Sequence, residues 1–178
     1  MSRPRPCALP DAALLRRYLD DGSYTDCFFA DVGASVSQRE FIEAFYTTPL
    51  FKIERRLLAW FVARPSSDTQ ARELGAGTSA GFAAWSVEGR SDDQLLMCDF
   101  AGRTRSWLMT SPGPIPGSTR LYFGSAVVPL VDSRTGKRRM GFGFWALSGF
   151  HKLYSRALLW SASARVVRMQ GPVPHKQG

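Results

Sequence analysis

The chain has 178 residues, 44% of them hydrophobic, 12% aromatic and 21% charged, enough apolar material for a single domain over 1–178 and too much for wholesale disorder. A chain of this size buries about two-thirds of its unfolded surface, so it needs no disulfide or metal staple. Three cysteines without a C-x-x-C and only two histidines exclude a structural zinc site, and no cofactor is expected. The formal net charge of +8 is concentrated at one end: residues 1–132 are close to balanced, whereas residues 133–178 hold nine Arg and Lys and no acid. Such a segment either packs as a basic helix on the acidic remainder of its own fold or meets an anionic membrane or an acidic partner. No nucleic-acid motif accompanies it, so dedicated nucleic-acid binding is not expected.

The 19 Arg against 4 Lys and the absence of Asn point to a GC-rich, bacterial coding sequence. Residues 1–10 contain no apolar signal core, and the most apolar stretch, Phe142 to Trp160, is interrupted by Lys152 and Arg156. A cytoplasmic location is expected.

In chain order, residues 1–10 read as a loose end, and residues 11–21 carry Leu14, Leu15, Tyr18 and Leu19 at helical spacing before a stop at Gly22. Tyr24 to Val32 alternates as a strand. Ser37 and Glu40 form a capping box that opens a helix, and Thr48-Pro49 opens a second helix running to about Ala63. A polar connection follows, with a short helix at 68–74. The pattern then turns to strands: Phe82 to Val87, a polar turn to Asp93, and Leu95 to Phe100. A two-residue turn at Gly102-Arg103 leads into Thr104 to Thr110, setting Cys98 opposite Trp107 and Leu96 opposite Met109 on one apolar face. Arg120 to Leu130 is the longest strand. Met140 to about Val167 is a helix whose Ala146, Phe150, Leu153, Ala157 and Trp160 line up as its packing face, and 168–178 read as a second loose end. Strands segregated from helices in this way predict an α+β domain.

The segments Tyr24 to Phe28, Phe41 to Arg56, Cys98 to Phe100, Thr104 to Leu108, Arg120 to Val128 and Gly149 to Arg156, in this order, resemble a family of uncharacterised bacterial domains of the START and polyketide-cyclase-like superfamily. The resemblance implies a helix-grip fold, an antiparallel sheet wrapped around a long C-terminal helix. It also implies a pocket between sheet and helix for a hydrophobic small molecule. Superfamily members include carriers, receptors and cyclases, so the likeness does not choose among them.

The residues expected at such a pocket are Glu54, Trp85, Cys98, Trp107, Met109, Arg120, Tyr122, Phe150 and His151. Glu54 falls within the apolar face of its helix, where burial raises a carboxyl pKa unless a partner such as Arg120 pairs with it. His151 titrates near neutrality, and Asp99 shares a sheet face with Leu95 and Met97; together with Glu54 these are the acid and base groups of an alternative, cyclase- or isomerase-type reading. A third reading makes the basic C-terminal helix an interaction module, with Phe142, Phe144 and Trp145 as anchors. Gly77 to Gly81 matches G-x-S-x-G, but Ser79 lacks the preceding strand and following helix that expose a nucleophile.

Overall fold

The computed structural model of the protein describes residues 1–52, 67–131, 138–139 and 142–170, with side chains described over 1–52, 67–129 and 152–170. The elements are β1 (Arg5–Pro6), α1 (Arg16–Asp20), β2 (Tyr24–Val32), α2 (Gln38–Tyr46), α3 (Asp68–Ala76), β3 (Gly81–Phe82), β4 (Trp85–Arg90), β5 (Gln94–Asp99), β6 (Thr104–Pro112), β7 (Thr119–Val127), β8 (Leu130–Val131), β9 (Arg138–Arg139) and α4 (Phe142–Met169). Seven strands make one antiparallel sheet in the order β1-β2-β7-β6-β5-β4-β3, and β8 with β9 forms a separate ribbon. The chain is α+β in a helix-grip-like arrangement, with α4 packed against β2, β7 and α2.

Local chemistry sets the helix starts. Ser37 and Glu40 make the expected capping box at α2, and Ser67 with Gln70 makes another at α3. Thr48 Oγ1 accepts from the Phe51 amide at 3.1 Å, opening a helix at Pro49 that is described as far as Lys52. α3 ends on Gly77 in the left-handed region at φ 79°, the conformation for which glycine is suited.

The sheet is covered on both faces. On one, Phe28, Ala30, Leu95, Met97, Leu108, Leu121 and Phe123 meet Phe41, Ile42 and Phe45 of α2 and Leu158, Leu159, Ala162 and Val166 of α4. On the other, Cys27, Leu96, Trp107, Met109 and Ala126 meet Leu9, Ala13, Leu15 and Tyr18 from the N-terminal segment. Gln94 fastens that segment. Its Oε1 accepts from Trp107 Nε1 and the Leu14 amide, each at 2.9 Å, and its Nε2 donates to the Ala12 carbonyl at 3.0 Å. Arg17, Tyr18 and Arg105 all converge on Glu88 at the end of this second core.

Several expectations change. Residues 1–10 are not a loose end: β1 pairs with Phe28 and Phe29, and Ser2 Oγ accepts from the Asp31 amide at 2.7 Å. Only Arg16–Asp20 of the stretch 11–21 is α-helical. The single strand over 82–87 is two strands joined by a turn at Ala83, whose φ of 54° reverses the chain without a glycine. The β5–β6 connection holds four residues rather than two, so Leu96 faces Trp107 and Cys98 faces Arg105. Asp99 dictates this register, because its Oδ1 accepts from the Arg103 and Thr104 amides at 2.6 and 3.2 Å. The slip is by an even number, so Leu96, Cys98, Trp107 and Met109 keep their common face. α4 packs through Leu158, Leu159, Ala162 and Val166, while Leu153 and Trp160 of the expected face are 66% and 41% exposed.

Candidate functional site

A cavity of about 220 Å³ lies between β6, β7, α2 and α4. Its apolar wall comes from Tyr46, Phe51, Trp85, Phe123, Tyr154 and Leu158, and Ser106, Ser125 and Ser155 also line it. The polar groups on the sheet side are set by register. Asp26 of β2 sits opposite Ser125 of β7, which in turn sits opposite Ser106 of β6. The side chains of directly opposed residues share a face, so the three form a polar row across the sheet. The Ser125 amide and hydroxyl both donate to Asp26 Oδ1, at 3.0 and 2.6 Å. Tyr24, two residues earlier on the same face, has its phenol pushed above the ordinary range by burial and then by the Asp26 charge, so it remains a neutral hydroxyl.

Across the cavity Ser155 projects from α4. It is fully buried, and among the described residues its hydroxyl has no hydrogen-bond partner. A buried hydroxyl in that state costs about 1–3 kcal/mol, which a bound group able to donate or accept would recover.

Of the residues expected here, the structure brings Trp85 to the cavity wall. Trp107, Met109 and Tyr122 belong to the opposite face, beneath the N-terminal segment, and strand alternation puts Cys98 on that face too, away from Met97, Ser106, Leu108 and Phe123. Trp107 is fully buried there, with Tyr122 packed at a ring separation of 6.2 Å. Arg120 is engaged by Asp31, Nε to Oδ1 at 2.7 Å and Nη2 to Oδ2 at 3.1 Å, and its guanidinium stacks over Phe29 at 4.2 Å. Glu54 lies outside the described residues, as do the side chains of Phe150 and His151. Asp99 is occupied by the turn amides of Arg103 and Thr104. Ser79 Oγ donates to the Gly81 carbonyl at 2.7 Å, with a helix before it and a strand after it, the reverse of a nucleophile elbow.

Asp26, Ser106, Ser125 and Ser155 were not singled out by the sequence. Ser155 left a signal, since it lies three and four residues before Leu158 and Leu159 on the buried stripe of α4. The sheet row left none, because its members come from three strands, one of them, β2, far from the others in sequence.

Among the described residues no cluster of His, Cys, Asp and Glu could hold a metal ion, and no helix is long and apolar enough to cross a membrane. No protein-family model matches the chain, and no curated protein matches it in sequence. One solved structure similar to it is the solution NMR structure of a structural-genomics protein from Arthrobacter aurescens, with 13% identity over 86% of this chain and 92% of that one, at a TM-score of 0.39. That likeness is too loose to fix either fold or function.

Proposed function

We propose that the protein binds a small, largely hydrophobic molecule carrying one hydrogen-bonding group, held between the sheet and α4. The observation that carries this reading is the unpartnered Ser155 hydroxyl in a largely aromatic and aliphatic cavity that Ser106 and Ser125 also line. Binding sites are commonly apolar with a few placed polar groups, which is the composition found here. At about 220 Å³ the cavity is below the usual range of about 300–1,000 Å³, which favours a ligand of one or two rings. The likeness to START and cyclase-like domains points the same way. It gives catalysis less support: of the three acid and base candidates, the one with a described side chain, Asp99, is committed to a turn.

A ligand that binds only the folded state raises the melting temperature with concentration. A panel of simple phenols and medium-chain alcohols should therefore shift melting upward. Ser106→Phe, which puts a ring into the cavity, should abolish the shift, and Arg103→Ala on the exposed turn should preserve it. No shift with any probe, or a shift indifferent to Ser106→Phe, would remove the reading.

A second reading rests on the outer face of α4, where exposed Leu153 and Trp160 alternate with exposed Lys152 and Arg156. Aromatic and aliphatic groups among cations suit the surface of an anionic bilayer. Co-sedimentation with phosphatidylserine vesicles, lost at high salt and in Trp160→Ser, is the result this reading requires.

A further inference from the structure

The second face of the sheet carries a pair of thiols that ligand binding does not use. We propose that Cys7 and Cys27 are a redox-modification site, in which a hydroperoxide converts the two thiols into a disulfide that fastens the N-terminal segment to β2.

The geometry is set by strand pairing. Beyond β1 the ladder continues, with the Cys7 amide donating to the Cys27 carbonyl at 3.0 Å, which places the two residues directly across from each other. Opposed residues of antiparallel strands have Cα atoms about 4.5–5.5 Å apart, inside the range that a disulfide spans. The sulfurs already lie 3.3 Å apart, and bond formation needs about 2.05 Å. Side-chain rotation of Cys7, just past the two-residue edge strand β1, can supply that approach without moving the sheet.

The two thiols are unequal, as a reactive pair requires. Cys7 is partly exposed and borders a surface groove of about 340 Å³ shared with Cys27, Arg16 and Leu19. Its thiol is held below the ordinary range, chiefly by the hydrogen bond it shares with Cys27, with burial opposing and the Arg120 charge assisting. Cys27 is buried, and the same hydrogen bond, burial and the nearby charges of Cys7 and Asp26 keep it protonated. Cys7 is thus the attacking thiolate and Cys27 the resolving thiol.

In the first step the Cys7 thiolate attacks one peroxide oxygen. The O–O bond breaks, and the alcoholate or hydroxide leaves and takes a proton from solvent. Sulfenic acid forms on Cys7. The Cys27 sulfur then attacks the Cys7 sulfur, the S–O bond breaks, and water departs with the Cys27 proton. The sulfurs lose two electrons and the peroxide gains them. Cys98 has no such neighbour, since its thiol donates to the Asp99 carbonyl at 3.3 Å, and it serves as an internal reference.

The test uses the full chain, reduced and then treated with stoichiometric hydrogen peroxide. The monomer should lose the mass of two hydrogens, alkylate only at Cys98, and yield a linked peptide pair containing Cys7 and Cys27. Its melting temperature should rise on oxidation and return on reduction. Cys27→Ser should hold a sulfenic acid on Cys7 that dimedone traps, and Cys7→Ser should trap none. Cys7→Ser keeps the buried position intact, so it reports even where the Cys27 variant folds poorly. Three alkylatable cysteines after peroxide, a disulfide involving Cys98, or dimedone labelling of Cys27 in Cys7→Ser would each overturn the proposal.

Discussion

At position 124 a single methyl group would have nowhere to go. A Cβ there would meet the Asp26 carbonyl oxygen at 2.9 Å and Leu15 and Trp107 side-chain carbons at 3.0 Å, so Gly124→Ala forces β2, Leu15 or Trp107 to shift. Overpacking of this kind costs about 1–3 kcal/mol, which a lower urea midpoint should report. Gln94→Ala removes the acceptor shared by Trp107 and Leu14, and each buried donor left behind costs about 1–3 kcal/mol. Ser155→Ala acts in the opposite direction. Losing an unpartnered hydroxyl should raise stability by about 1 kcal/mol while weakening retention of any ligand whose polar group meets it. A residue that destabilises its own fold yet matters to binding is the expected signature of a site.

Among the elements, α4 shows where periodicity fails to choose. Leu153, Tyr154, Ala157, Leu158, Leu159, Trp160, Ala162 and Val166 place apolar groups around much of the helix, so the sequence contains two candidate faces, and the sheet's shape selects the one centred on Leu158 and Leu159. Leu159→Ala should cost about 2–5 kcal/mol, as buried truncations do. Trp160→Ala should cost about 1 kcal/mol or less despite removing more atoms, and equal losses in urea unfolding would reverse the assignment. Features governed by local chemistry were legible: the Ser37 capping box, the Thr48 helix start and the bounds of β2 all follow from adjacent residues. The turn at Ala83 was not, because it contains no glycine, proline or asparagine to mark it. Nor was the four-residue β5–β6 connection, which depends on the Asp99 side chain outcompeting the tighter turn that Gly102 also permits.

For the whole molecule, the sheet has two cores, and the N-terminal segment, of which residues 1–10 read as a loose end and 11–21 as a helix, covers one of them. The apolar spacing of residues 11–21 marks them for packing, but what they cover is set by Trp107 and Gln94 beneath them. The same absence of long-range register hid the row Asp26, Ser125 and Ser106, and assigned Trp107 to the wrong chamber. Removing residues 1–15 should expose the Trp107 face, which dye binding by anilinonaphthalene sulfonate would report, along with a lowered melting temperature. An unchanged melting temperature would mean that this second core contributes little to the fold.

The pairing of β2 with β7 also has a consequence for synthesis. Asp26 and Ser125 meet across 99 positions of sequence, whereas β3 to β7 pair with immediate neighbours in a meander. Distant pairings carry the larger loop-closure cost and form slowly, so the meander can assemble first and β2 joins afterwards. During translation, β2 therefore leaves the ribosome with only the short β1 to pair with, and about half of the chain must follow before its long partner β7 exists. The first long strand made is the last to meet its long partner, and for that interval the nascent chain depends on whatever shields its open edge.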